Sequence, residues 1–206
     1  GGPEGHDDVM PFLRNVAAGH GIPEDRLAVV AEHYHHFGGV SPINAQCREL
    51  LGALGAELER SGPALPIYWG NRNWHPMLAA TVGQMADDGI RRAVAVATSA
   101  YSSYSACRQY LEDIEAARAA VGPRAPLIEK LPPFWNHPGF IETMAANTRD
   151  ALARIRCDRA TTRLVFTAHS IPTTMAATCD YELELREASA LVAERVTSHE
   201  APLRWE

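Results

Sequence analysis

Arg163-Leu164-Val165-Phe166-Thr167-Ala168-His169-Ser170-Ile171-Pro172 is the stretch that decides the fold. Leu164 to Ala168 form a short apolar run rich in residues that suit a pleated surface, and Ile171-Pro172 breaks the chain directly after it. The pattern predicts a buried strand over Arg163–Ala168, with His169 just past its carboxyl end. Ala93–Thr98 (AVAVAT) reads the same way. Its near-continuous apolar character is what a strand covered on both faces shows.

Between and around these runs lie helical patterns. Glu24–Phe37 carries Leu27, Val30, Ala31 and Tyr34 at helical spacing and stops at Gly38-Gly39. Ser41-Pro42 reads as a helix start, serine as N-cap and proline in the first turn, with the helix running to about Arg60. Leu65–Trp69 and Leu127–Leu131 are further strand candidates. Helices are predicted from His75 or Pro76 to Gly89, over Ser102–Val121, over Pro138–Arg156 and over Glu182–Val196. Strands alternating with helices through short joins predict βαβ units, hence an α/β protein with mostly parallel sheets flanked by helices on both faces. In such folds ligands bind beyond the carboxyl ends of strands. Three segments take that place: Gly70–Trp74, Ser99–Tyr101 and His169-Ser170.

Composition narrows the function. The chain has 206 residues, 46% hydrophobic and 21% charged, with a net charge of -6. No basic tract points to nucleic acid, and no apolar run is long enough for a membrane span. A cytoplasmic setting is expected. Cys47, Cys107, Cys157 and Cys179 are scattered and form no C-x-x-C pair, which reads as separate reduced thiols rather than a disulfide framework or zinc ribbon. G-x-G-x-x-G and G-x-x-x-x-G-K-[ST] are both missing, so dinucleotide and P-loop chemistry lose their main support.

Several residues have the chemistry for a site. A histidine at the mouth of a sheet can bind a first-row metal or move a proton near neutrality, or can simply be a hydrogen-bonded loop residue. Position alone leaves both readings of His169 open. His33, His35 and His36 close a helix without the i, i+4 spacing of H-E-x-x-H, and read as basic groups at its negative end. Tyr101, Tyr104 and Tyr110 with Ser99, Ser102, Ser103 and Ser105 sit at a strand-to-helix turn. Such a stretch suits an anion and a flat ligand, or an N-cap followed by core tyrosines. Trp69, Trp74, Phe134 and Trp135 add aromatic surface at strand ends and loops, a hint of a broad apolar pocket.

These segments together resemble the ferrochelatase family, in its actinobacterial coproporphyrin III type. The matching stretches are Gly1-Gly2-Pro3-Glu4 with Pro11-Phe12-Leu13, His36–Asn44 (HFGGVSPIN), Tyr68–Trp74 (YWGNRNW), Thr98–Ser105 (TSAYSSYS), Cys107–Tyr110 (CRQY) and Phe166–Pro172 (FTAHSIP). They run in family order over essentially the whole chain. The resemblance implies a chelatase-like fold of two similar Rossmann-like domains, here 1–125 and an incomplete 126–206. It implies insertion of ferrous iron, the substrate metal, into coproporphyrin III during heme biosynthesis. His169 matches the family's metal-site and catalytic histidine. Ser41 and Tyr110 match positions that contact the porphyrin.

The family pattern also differs from this sequence in places. An aromatic residue before Gly1, and a metal-site glutamate beyond residue 206, belong to the family's site, so the chain is expected to be a fragment. Ala18 and His20 stand where close relatives often carry basic residues. The [2Fe-2S] cluster of some relatives needs four cysteines that cannot be matched here. The alternative to an iron-inserting enzyme is a truncated, catalytically impaired module of the same fold that holds tetrapyrrole or metal. Oligomeric state is not legible.

Overall fold

The computed structural model describes residues 1–155, 158, 160–197 and 203–206. In chain order it contains α1 (His6–Val16), α2 (Glu24–His36), α3 (Ile43–Ser61), α4 (Leu78–Asp87), β1 (Arg92–Ala95), a π-helical turn (Tyr104–Arg108), α5 (Gln109–Val121), a short 3-10 turn (Gly122–Arg124), β2 (Leu127–Lys130), α6 (Pro138–Ile155), β3 (Arg163–Leu164), α7 (Thr173–Ala176), α8 (Tyr181–Thr197) and β4 (Arg204–Trp205). The protein is α/β. β1 pairs with β2, and β3 pairs with β4. Leu127 N–H donates to the Arg91 carbonyl and Leu131 N–H to the Ala95 carbonyl, so partners advance together and the first pair is parallel. Arg163 faces Arg204 and Leu164 faces Trp205 in the second, also parallel.

The chain divides into two compact units. One comprises Gly1–Ala93 and Asp113–Ile128, the other Val94–Glu112 and Glu129–Glu206. In the first, α1 and α2 form a helical pair. Val9, Phe12 and Leu13 recur on one face of α1 and bury against Leu27 and Ala31 of α2. Phe12 meets Tyr34 and Trp74 edge to face, at 5.8 and 5.9 Å between ring centroids. Asp7 and Asp8 in the first turn and Arg14 in the last suit the macrodipole of α1. In the second unit α6 packs on α8 through Ile141, Ala145, Ala188, Val192 and Val196, with Leu203 beside them. The alanines let the helices approach closely.

Several expectations need correction. Val94 is 61% exposed, so its strand is not covered on both faces, and Val165, just past the end of β3, is 62% exposed. Burial alternates instead, Ala93 and Ala95 being half-buried between exposed neighbours. In this two-stranded ribbon one set of side chains is partly covered and the other lies open. Leu65–Trp69 forms no strand; the Trp69 carbonyl accepts from Thr81 Oγ1 of α4 at 2.9 Å instead of joining a ladder. The strand predicted over Arg163–Ala168 is regular only at Arg163–Leu164, although Phe166 N–H still reaches the Glu206 carbonyl at 2.9 Å. The helix expected from Ser102 opens at Tyr104 as a π-helical turn, capped by Ser103 Oγ accepting from Ala106 N–H at 3.0 Å. No helix among the described residues is long and apolar enough to cross a membrane. Arg156 and Cys157 lie outside the described residues; Cys47, Cys107 and Cys179 are free thiols.

Candidate functional site

Ser41 belongs to the first unit, Tyr110 and His169 to the second. Around Ser41 three of the sequence motifs come together. Gly38 and Gly39 follow α2 with φ of +76° and +72°, a left-handed pair that side chains with a Cβ rarely adopt. The chain then reverses, Val40 pairs with Glu4, and Ser41 N–H donates to the Pro3 carbonyl at 2.8 Å. Ser41 was expected as the N-cap of α3, but Pro42 holds that place, with φ fixed near the helical value. Ser41 Oγ lies 3.4 Å from Ile43 N–H, a long contact, so the hydroxyl is not consumed by a strong capping bond.

Asn44, in the first turn of α3, is 1% exposed. Its Oδ1 accepts from Gly2 N–H at 3.1 Å and its Nδ2 donates to the Gly2 carbonyl at 3.0 Å. A Cβ on Gly2 would lie 2.7 Å from Ser41 Cβ, so only glycine allows this approach. Asn71 plays a parallel part for the YWGNRNW loop. It is buried, bonds Pro76 and Leu78 through its backbone, and a Cβ on Gly1 would meet its side-chain amide at 2.8 Å. Arg72 next to it pairs with Asp113 at 2.5 Å. The glycine start, the serine loop and the tryptophan loop are thus one connected backbone assembly. The first turn of α3, with Ser41 before it, presents hydroxyl and N–H groups suited to a carboxylate.

The second unit builds the surroundings of His169. The ladder of β3 ends before it, and the imidazole is exposed. Its Nδ1 lies 2.7 Å from the Ser170 carbonyl oxygen. A carbonyl can only accept, so Nδ1 carries a proton, and in the neutral ring the lone pair is on Nε2. That tautomer makes Nε2 the atom able to ligate a metal ion or take a proton. The His169 carbonyl accepts from Tyr181 Oη at 3.0 Å. Tyr181 stands at the start of α8 and meets the Tyr101 ring edge to face, at 6.1 Å. Tyr101 in turn contacts Phe140 at 6.2 Å, and Phe140 contacts Phe134 at 5.6 Å. An aromatic wall therefore runs from the loop after β2 to the backbone of His169.

A carboxylate supports that wall. Glu184 is 8% exposed and its Oε2 accepts from Ser102 N–H at 2.6 Å. The Ser102 hydroxyl is buried with no hydrogen-bond partner among the described residues. Burial pushes the Tyr101 phenol above its ordinary pKa, with Tyr181 and then Glu184 adding to the shift. Tyr101 stays neutral through the physiological range. Tyr110 lies half-buried in the first turn of α5. Asn44, Asn71, Tyr181 and Glu184 were not singled out by the sequence reading. Their partners lie between 4 and 82 residues away, so spacing along the chain carries no signal of them.

Comparisons with known proteins identify the family of the chain. A sequence model of the ferrochelatase family matches residues 1–206. The chain is 56% identical over 194 residues to a ferrochelatase of Rhodopirellula baltica, covering 94% of this chain and 55% of that protein. It is 55% identical over 197 residues to the coproporphyrin III ferrochelatase of Mycolicibacterium vanbaalenii, covering 94% and 58%. It is 51% identical over 210 residues to that of Mycolicibacterium smegmatis, covering 100% and 62%. The chain spans somewhat over half the length of these curated relatives. A match over every residue, together with these identities, means that the chain belongs to the ferrochelatase family.

Proposed function

We propose that this chain carries the histidine side of an iron-inserting site, and that the protein inserts ferrous iron into coproporphyrin III, giving the iron porphyrin of heme biosynthesis in the cytoplasm. The observation that carries the reading is the contact of His169 Nδ1 with the Ser170 carbonyl. With Nδ1–H donated to the Ser170 carbonyl, Nε2 offers one exposed lone pair at the end of an aromatic wall.

The chemistry follows from the balance of the reaction. A free-base porphyrin carries two inner N–H protons, and insertion of Fe²⁺ releases both to solvent. Charge is conserved without any redox step. One Nε2 lone pair can relay these protons singly, or guide the metal, but cannot do both at the same instant. Either task requires the neutral imidazole that the Ser170 bond orients. Ser41 and the first turn of α3 are assigned to a porphyrin propionate, and Tyr110 to the macrocycle. Coproporphyrin, with four propionates, suits a site that uses hydroxyl and helix-start contacts, and it is named in the coproporphyrin III ferrochelatases of the two Mycolicibacterium relatives.

The test is direct. The chain is incubated anaerobically with coproporphyrin III and ferrous iron while the absorption spectrum is followed. Conversion of the free-base bands to those of the iron porphyrin, at a rate well above the protein-free control, supports the proposal. Porphyrin binding without conversion supports the alternative of a holding module. Neither binding nor conversion overturns both.

A further inference from the structure

His6 opens α1 and His35 is the penultimate residue of α2. Their Nδ1 atoms approach to 2.8 Å. The ring planes differ by 5° and the centroids are 4.8 Å apart. In this state one Nδ1 donates a proton and the other accepts it. The backbone beneath both rings is fixed. Val9, Phe12 and Leu13 hold α1 against Leu27 and Ala31 of α2. On the other side, Gly39 packs so closely on His6 that a Cβ there would lie 2.7 Å from the His6 backbone. Two imidazole nitrogens therefore face each other across 2.8 Å above a fixed backbone.

We propose that His6 and His35 form a second metal site, chelating a first-row divalent cation through both Nδ1 atoms, apart from the site assigned to His169. Nitrogens 2.8 Å apart, each about 2.05 Å from a metal, subtend about 85° at the ion. That is the cis angle of octahedral or square-planar coordination. A tetrahedral ion at the same bond length needs the nitrogens about 3.3 Å apart. The pair therefore suits Ni²⁺ and Cu²⁺, which accept right angles, better than Zn²⁺. Both rings stay neutral on binding. The single proton held between the Nδ1 atoms moves through solvent to the Nε2 of its own ring, and no other reactant is needed.

Two of the neighbouring acids are engaged elsewhere. Glu4 pairs with Arg48 at 2.7 Å, and Asp8 Oδ2 accepts from Glu4 N–H at 3.0 Å. Among the described residues no cluster of three or more ligating side chains forms, so water completes the shell. His33 and His36 flank His35 in sequence, but residues one and two positions apart on a helix point in different directions. The ring of His36 packs edge-on against Phe37 instead.

The test titrates the whole chain with Ni²⁺ alone, by calorimetry at neutral pH, in wild type, His6→Ala, His35→Ala, the double variant and His169→Ala. The expected result is one strongest site in wild type that each single variant weakens at least tenfold, with the double variant no worse than either. His169→Ala leaves that site unchanged, which separates this proposal from the function proposed above. Cu²⁺ gives a second readout. Electron paramagnetic resonance should show two coupled imidazole nitrogens in wild type and one in His35→Ala. Affinity within twofold of wild type in both single variants, with an unaltered nitrogen coupling, overturns the site. Far-ultraviolet circular dichroism confirms that these exposed or half-buried positions leave the fold intact.

Discussion

Asn44→Ala is the most informative perturbation of the frame that presents Ser41. The wild-type side chain is 1% exposed and satisfies both polar groups of Gly2, at 3.1 and 3.0 Å. Alanine removes both partners and leaves a backbone N–H and a carbonyl without compensation in a place water reaches poorly. An orphaned buried group costs about 1–3 kcal/mol, so two cost about 2–5 kcal/mol after partial relaxation. With a urea slope of about 2 kcal/mol per molar, the unfolding midpoint falls by roughly 1–2.5 M. The assay is urea denaturation followed by circular dichroism, with amide exchange of Ser41 as a local readout. Ser41 N–H is held by the Pro3 carbonyl, which loses its anchor when Gly2 is released. Protection at Ser41 should therefore fall further than protection in α6 and α8. A midpoint shift below about 0.25 M, with Ser41 protection intact, refutes the claim that Asn44 anchors this assembly.

Other consequences follow from the same contacts. Tyr101 has its folded-state pKa raised above the ordinary tyrosine value. Its stabilising effect is complete below the unfolded pKa near 10 and is lost as pH rises through the higher folded value. Tyr101→Phe keeps the ring contacts and should flatten stability against pH above about 10, read by denaturation at stepped alkaline pH. Tyr181→Phe removes one exposed hydrogen bond to the His169 carbonyl, so it should cost under about 1 kcal/mol of global stability while raising amide exchange over residues 169–171. Ile141→Ala opens a cavity between α6 and α8 and should destabilise by about 2–4 kcal/mol, read as a lowered denaturation midpoint.

Much of the architecture was legible because it rests on local patterns. Helices α2, α3, α6 and α8 follow apolar spacing, and their observed ends fall within a few residues of the predicted ones. Helix α1 was not among those predicted. Pro11 sits in its interior, where a proline ordinarily argues against a helix, yet Val9, Phe12 and Leu13 gain enough burial against α2 to hold it. Strands were less legible, since an apolar run records capacity for burial and not whether a layer covers each face. Val94, Val96 and Val165 carry the strand signal and remain exposed.

The site divides in the same manner. His169, Ser41 and Tyr110 could be singled out because each sits in a compact motif. Asn44, which ties the serine loop to Gly2, depends on a partner 42 residues away, and the His6–His35 contact on one 29 residues away. Spacing rules see a helix face or a strand end. They do not see two loops brought together by tertiary packing.

The central claim concerns His169 Nε2, and one comparison addresses it most directly. Anaerobic iron insertion into coproporphyrin III is measured for wild type and His169→Ala, alongside porphyrin binding by fluorescence quenching. The account predicts porphyrin affinity within about threefold of wild type and insertion slowed at least about a hundredfold, the lower end of what loss of one acid–base group removes. Insertion by His169→Ala at the wild-type rate would contradict the assignment of this histidine.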